Sequence, residues 1–239
     1  MYSDSSLHIS RSLLAAMGTR LFLHHEDRIP ENSPVIVVSN HRSFMDAPVL
    51  MATLGHSIRI ACHHYMGQVP VMREIVRQLG CFPLEEPEYR QQAFFQQATK
   101  LLQQRQWVGV FPEGAPPMVN LTKPNVMGKF HRGFAHLALR APVQDLAILP
   151  VAIASVDETV NSAVPLRLLS LFDPSEPLFK QAGWHPMVLY HHVTVSVGRP
   201  YWITPKQRKD FQGKFARKVV AEITTACQDE ISKLLHQSY

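Results

Sequence analysis

Residues 34–46 read Pro-Val-Ile-Val-Val-Ser-Asn-His-Arg-Ser-Phe-Met-Asp. Val35, Ile36, Val37 and Val38 form an unbroken β-branched run, which is how a strand buried on both faces of a sheet reads. Asn40, His41 and Arg42 interrupt the apolar pattern as a turn, and a helix is expected from about Ser43 to Leu54. A buried strand that feeds a helix through a short polar turn is half of a βαβ unit, and it sets the expectation for the rest of the chain.

The segments on either side follow the same alternation. Residues 57–62 read as a second strand, 71–79 as a short helix closed by Gly80, and 81–84 as an apolar tetrapeptide. Over 91–105, Phe94, Phe95, Ala98, Leu101 and Leu102 share one helical stripe. Residues 107–111 and 146–153 are further strands, and 193–197 alternates with the period of a half-buried strand. The expectation is an α/β fold: a single domain with a mixed, mostly parallel β-sheet flanked by helices. Residues 112–131 and 154–187 are Pro-rich and irregular and are expected to be loops or lids. From Pro205 onward Phe211, Phe215, Val219, Ile223, Cys227, Ile231 and Leu235 recur every four positions, as in one long amphipathic helix with a basic first half. The expected organisation is an N-terminal amphipathic helical segment over 1–29, a core over 30–204 and a C-terminal helix over 205–239. Both terminal segments admit two readings, packing on the core or contact with a membrane surface. The N-terminal stripe of Leu13, Leu14, Met17 and Leu21 is bordered by Arg11 and Arg20.

Composition narrows the function classes. With 46% apolar and 18% charged residues in 239, the chain can bury a full core and is not disordered. Its longest stretch without Asp, Glu, Lys or Arg, 181–198, contains three histidines, a proline and a glutamine and reads as strand and loop, so no spanning helix is expected. Cys62, Cys81 and Cys227 are too few and too scattered for a disulfide framework, and no secretory signal is read, so a reducing compartment is expected. A net charge of +5 and a pI near 9.2 suit an anionic partner. Basic residues are not interleaved with stacking aromatics along one face, which argues against nucleic acid. Cys62-His63-His64 and His191-His192 lack complementary ligand spacing, so no metal is expected.

Two strand ends hold the chemically unusual residues. One is Asn40-His41 through Asp46, the other Phe111-Pro112-Glu113-Gly114. In a parallel sheet all strand carboxyl ends open on one edge, which places His41 and Glu113 at one mouth. On a continuous helix His41 and Asp46 would lie about 140° apart and would not meet. With His41 in the turn and Asp46 in the first helical turn they can meet, the carboxylate orienting the imidazole as a general base. Ser43 to Asp46 equally fits a capping box, with Ser43 as N-cap, and both readings can hold together. Glu113-Gly114 also fits an ordinary turn. No Ser or Cys nucleophile with a partner histidine is evident, so direct attack by a bound hydroxyl is expected rather than a covalent intermediate.

These residues resemble the glycerolipid acyltransferases of the lysophosphatidic acid acyltransferase (PlsC-like) type. Asn40-His41-Arg42-Ser43-Phe44-Met45-Asp46 is similar to the family's first motif, a His and an Asp separated by four residues. Phe111-Pro112-Glu113-Gly114 is similar to the third motif, and Ile148-Leu149-Pro150-Val151 to the fourth. Lys129-Phe130-His131-Arg132-Gly133 resembles the Phe–basic–Gly segment that follows the third. The resemblance covers roughly residues 30 to 200. It implies a peripheral enzyme at the cytoplasmic face of a membrane, needing no cofactor. The implied reaction moves an acyl group from acyl-CoA or acyl carrier protein to a lysophospholipid hydroxyl, giving phosphatidic acid from 1-acylglycerol-3-phosphate.

By the same resemblance His41 is the general base and Asp46 its partner. Asn40, Glu113, Gly114, Lys129 and Arg132 bind substrate, and Pro150 lies near the acyl path, although a buried sheet strand explains Pro150 equally well. The chain departs from the family at two phosphate contacts. Gly80-Cys81-Phe82-Pro83-Leu84 is followed by Glu85-Glu86, with no arginine before Arg90, and Gly114 is followed by Ala115-Pro116-Pro117 instead of Thr-Arg-Ser. Lys129, His131 and Arg132 are the cations placed to compensate. The alternatives are an acceptor without a terminal phosphate and a non-catalytic lipid-binding protein.

Overall fold

The computed structural model of the chain describes residues 3–62, 66, 70–84, 88–114, 116–171, 174 and 177–238. The strand that opened the sequence reading, β2 (Val35–Ser39), is buried at every position. Successive side chains of a strand point to opposite faces, so Val35 and Val37 enter one apolar layer while Ile36 and Val38 enter the other. The remaining strands are β1 (Arg20–His24), β3 (Ile58–Cys62), β4 (Phe82–Pro83), β5 (Trp107–Val110), β6 (Ala147–Pro165), β7 (Trp184–Val197) and β8 (Tyr201–Trp202). They form one sheet in the order β1-β7-β6-β2-β5-β3-β4, with β8 beside the start of β6. Pairing is parallel except where β6 meets β7 and β8. The sheet is therefore mixed and mostly parallel, as expected.

The helices are α1 (Ser3–Ala16), α2 (Asp46–Leu54), α3 (Pro70–Gln78), α4 (Arg90–Gln103), α5 (Pro116–Val119), α6 (Gly133–Arg140), α7 (Leu166–Leu169), α8 (Pro205–Gln212) and α9 (Ala216–Gln237). Leu14 of α1 and Val49, Leu50, Met51 and Leu54 of α2 pack with Val35 and Val37 on one face. On the other, Ala98 and Leu102 of α4, Phe134 and Leu137 of α6, and Ile223, Cys227 and Ile231 of α9 pack with Ile36 and Val38. A sheet covered on both faces explains why its central strands read as continuous apolar runs.

The structure corrects four boundaries. The segment over 1–29 is not helical throughout: α1 stops at Ala16, Gly18 turns with a φ of +69°, and β1 adds to the sheet edge parallel to β7. The left-handed conformation at Gly18 is where an α-helix ends most cheaply. Leu14 is only 2% exposed and Leu21 packs against the same layer, so these residues of the stripe are spent inward. Residues 154–187 are not mainly loop, because β6 and β7 continue past the sheet as an antiparallel ribbon to Pro165 and Trp184. The segment from Pro205 is two helices, broken at residues 213–215, with Thr204 and Gln207 forming a capping box at the first. The break sends Phe211 against His136 of α6 and leaves Phe215 exposed. Finally, the helix after β2 begins at Asp46, not Ser43, for a reason that belongs to the site.

Candidate active site

The turn between β2 and α2 is wound around one carboxylate. Asp46 Oδ2 accepts from the Arg42 backbone N–H at 2.7 Å and the Ser43 N–H at 2.9 Å, and lies 2.8 Å from His41 Nδ1. Its other oxygen accepts from the Tyr190 hydroxyl at 2.8 Å. Two backbone amides converging on a side chain from one helical turn ahead hold residues 42–45 in a turn, which delays the helix to Asp46. Only half of the capping box is formed: Asp46 accepts from the Ser43 N–H, but Ser43 Oγ accepts from the Met45 N–H in place of the Asp46 N–H and donates to the Val188 carbonyl.

Four donors around one acceptor fix the chemistry of the histidine. With its acceptor oxygens directed at amide, phenol and imidazole donors, Asp46 faces Nδ1 as the acceptor, so Nδ1 carries a proton and Nε2 is the ring nitrogen left without a hydrogen-bond partner among the described residues. The imidazole also stacks on Phe111, with ring centroids 4.0 Å apart and planes 8° from parallel. The Asp46 side chain is 1% exposed and that of His41 19%, so the pair is buried at the carboxylate and open at the imidazole. Burial, reinforced by the neighbouring Asp46, pushes the Tyr190 phenol well above its ordinary value and keeps it a donor.

Glu113 joins the second strand end to the first. Its Oε1 accepts from the His41 backbone N–H at 3.0 Å, and its Oε2 accepts from the Gly128 N–H. His41 and Glu113 thus meet at one mouth across 72 positions of sequence, as the parallel sheet requires. Burial raises the Glu113 carboxyl, and the hydrogen bonds from Gly128 and His41 offset part of that rise. Both oxygens are occupied and the residue is 5% exposed, so in this arrangement Glu113 braces the mouth from within its wall. Gly114, turning with a φ of +73°, brings the chain towards His131, whose N–H bonds the Pro112 carbonyl.

The other sequence-derived residues divide clearly. Asn40 is buried, donating to the Ile153 carbonyl at 2.9 Å and accepting from its N–H at 2.8 Å, so its carboxamide is turned onto β6. Lys129 and Arg132 are exposed and hold no ion pair among the described residues. They flank buried Phe130, one residue beyond Gly128 and at the uncapped amino end of α6. Pro150 lies inside β6, opposite Val38. Its carbonyl accepts from Gly198 N–H, so its nitrogen faces the same side, at the step between β8 and β7 where no ladder donor is needed. Glu85, Glu86, Ala115, His63 and His64 lie outside the described residues. Among the described residues no group of three or more His, Cys, Asp or Glu side chains could hold a metal ion.

Sequence reasoning missed what the ribbon supplies. Arg42 is buried in a bidentate pair with Glu158, at 2.8 and 2.9 Å, and also donates to the Thr122 carbonyl. Glu158 of β6 lies opposite Tyr190 of β7, next to irregularities in the ladder at residues 155–158. Cross-strand neighbours share a face, so one rung of the ribbon holds both Arg42 and Asp46. The signal available was an inward alternation of Val188 and Tyr190 that slips by one residue before Val193, with a tyrosine that needs a buried partner.

Comparison with known proteins shows the family and the fold. The sequence profile of a family described as Acyltransferase matches residues 20–154. The chain is 24% identical over 137 residues to a 1-acyl-sn-glycerol-3-phosphate acyltransferase of Borreliella burgdorferi, covering 57% of this chain and 52% of that protein. It is 27% identical over 123 residues to the chloroplastic 1-acyl-sn-glycerol-3-phosphate acyltransferase LPAT1 of Arabidopsis thaliana, covering 51% of this chain and 32% of that one. The match thus spans about half the length of the first relative and a third of the second. Among solved structures, the 1-acyl-sn-glycerophosphate acyltransferase PlsC of Thermotoga maritima aligns over 95% of this chain and 78% of its own, with a TM-score of 0.55 and 16% identity, a likeness of fold.

Proposed function

The chain belongs to the acyltransferase family, and from that premise we propose that it transfers a fatty acyl group from acyl-CoA or acyl carrier protein to the free hydroxyl of 1-acylglycerol-3-phosphate, giving phosphatidic acid. The observation that carries the reading is the His41–Asp46 pair, with Nδ1 engaged by the carboxylate and the imidazole at the mouth. Nε2 takes the proton of the acceptor hydroxyl as its oxygen attacks the thioester carbonyl. Asp46 and Tyr190 hold the ring orientation through the step, and Asp46 compensates the imidazolium charge. The tetrahedral intermediate collapses by breaking the C–S bond, and the departing thiolate recovers the proton from His41. No covalent acyl-enzyme is required, in keeping with the lack of an activated serine or cysteine among the described residues around His41.

Acceptor phosphate has a plausible seat beside this base. Lys129, Arg132 and the uncapped N–H groups that open α6 give one positive region next to Gly128, which is bonded to Glu113. A second reading is favoured by Arg42, the cation nearest His41, because Glu158 already neutralises it. With no arginine between Leu84 and Glu88 either, a lysophosphodiester acceptor needs fewer cations than lysophosphatidic acid does. The enzyme is proposed to work peripherally at the cytoplasmic face of a membrane, where such acceptors reside; among the described residues no helix is long and apolar enough to cross one.

Acceptor choice is tested by following thiol release from acyl-CoA and from acyl carrier protein with lysophosphatidic acid, lysophosphatidylglycerol, lysophosphatidylcholine and glycerol phosphate. Turnover highest with lysophosphatidic acid, and lowered by Arg132→Ala mainly through KM, is the expected result. Turnover confined to phosphodiester acceptors would transfer the assignment to the second reading. No release with any pair would leave a non-catalytic lipid-binding protein.

A further inference from the structure

The loop over 116–132 and the outer end of the β6–β7 ribbon are joined by a small apolar cluster of their own, made by Val119, Leu166, Leu169 and Phe179. The loop is also tied to the mouth, through the Thr122 carbonyl on Arg42 and the Gly128 N–H on Glu113. With their inward apolar groups used in that cluster, the two segments still leave Leu121 49%, Val126 49%, Leu168 50%, Leu171 73% and Trp184 56% exposed. Three of these lie at the ribbon end and two on the loop. Elsewhere among the described residues Phe22, Ile75, Tyr89, Trp202 and Phe215 are exposed on separate segments, as isolated residues often are, and Val156 and Val160 are exposed along the ribbon itself.

Charge distinguishes this rim as well. No Asp or Glu occurs between Glu113 and Asp145, while Lys123, Lys129 and Arg132 do, and all three are exposed. At the ribbon end Arg167 and Lys180 are balanced in sequence by Asp173 and Glu176, so the excess positive charge belongs to the loop. Exposed leucines, a tryptophan and cations without an ion pair among the described residues, on two segments joined by one cluster, are the composition of an interfacial anchor, in which apolar side chains enter the acyl boundary and cations meet anionic headgroups.

We propose that this rim is the surface on which the protein seats on an anionic lipid bilayer, with Leu168, Leu171 and Trp184 inserted and the 116–132 loop facing the headgroups. The inference rests on the reading of the mouth as the entry for a lipid acceptor, since seating the rim opens the mouth directly onto the bilayer. It differs from docking through the N-terminal stripe, whose Leu14 is buried against the core. It differs equally from docking through the basic α8–α9 region.

The test uses the full chain with vesicles of phosphatidylcholine, alone and mixed with phosphatidylglycerol. Wild type is expected to co-sediment with the mixed vesicles and to release at high salt. A Leu168→Ser, Leu171→Ser, Trp184→Ser triple variant should lose at least about tenfold in partitioning, with Phe215→Ser unchanged. Turnover of a detergent-dispersed acceptor should be the same in the triple variant as in wild type. Acyl-brominated lipid should quench Trp184, a signal removed by Trp184→Phe and retained in Trp202→Phe. Quenching of Trp202 instead, wild-type partitioning by the triple variant, or a dimer of the free protein that the triple substitution dissolves would each overturn the proposal. Loss of partitioning in the triple variant while wild type turns over no acceptor would support the docking face and count against the proposed activity alone.

Discussion

Asp46 is held by four donors, and removing them one at a time separates orientation of the base from folding of the turn. Tyr190→Phe deletes the one side-chain donor besides His41 among the described residues and leaves the backbone amides in place. We expect kcat to fall about tenfold with KM little changed, and stability to fall by about 1 kcal/mol, read from steady-state kinetics and urea unfolding. Asp46→Asn sets an NH2 against N–H donors or turns away from His41, and should lower kcat by about 10²-fold or more. Glu158, which is half-buried, and Glu113, which is buried, respond to pH in opposite directions. Burial alone would raise Glu158, but Arg42 overrides it and holds the carboxyl below its ordinary 4.5. A depressed folded value contributes stability that is present above 4.5 and lost as pH falls through the folded value. Glu113 is raised by burial, so its contribution declines as pH climbs from 4.5 through its folded value. Urea midpoints measured across pH 3 to 7, about the span over which buried carboxyls titrate, should therefore show a shallower acid-side loss in Glu158→Gln than in wild type. An unchanged slope would mean that the Arg42 pair does not set it.

At the scale of elements, β5 is the tightest fit. Gly109 lies between β2 and β3, and a Cβ there would stand 2.6 Å from Ile60 Cγ1 and 3.0 Å from Ile58 Cγ2. Gly109→Ala should cost about 1–3 kcal/mol in chemical denaturation, because Ile58 and Ile60 already fill that space. How far elements could be read from sequence depended on how they are buried. β2, β5 and the first part of β6 are covered on both faces, so their apolar runs mark them as strands, and the shared edge of a parallel sheet places His41 beside Glu113 from sequence alone. The ribbon stands clear of that core and is satisfied by its own ladder. Asp157, Glu158, Thr159, Asn161 and Ser162 therefore show no apolar alternation, and the stretch read as loop. β1 was hidden because Leu21 continues the spacing of Leu14 and Met17, while Gly18 was the stop signal. Tyr190 and Glu158 were illegible for the same reason as the ribbon: their roles come from pairing across the bulged ladder, 144 and 116 positions from Asp46 and Arg42. Asn40 shows the converse, a residue correctly placed at the mouth by its motif but turned inward to bond Ile153.

The molecule as a whole is a two-sided α/β sheet with the His41–Asp46 pair at one strand edge, a ribbon whose Tyr190 and Glu158 hold Asp46 and Arg42, and a cationic, partly apolar loop tied to the same turn. The proposed function and docking face give separate work to separate regions: His41 and Asp46 to proton transfer, Lys129 and Arg132 to the acceptor, and the ribbon end to the bilayer. Substitutions in the three regions should accordingly act on kcat, KM and vesicle partitioning. The most direct measurement of the central claim is acyl transfer by wild type and His41→Ala to the best acceptor in detergent, with product followed by mass and both proteins shown to unfold at similar urea concentrations. A His-dependent general base predicts a loss of about 10²–10⁴ in kcat for His41→Ala, with phosphatidic acid as the wild-type product. Transfer by His41→Ala at the wild-type rate would contradict the account, because the geometry around Asp46 would then have no part in the reaction.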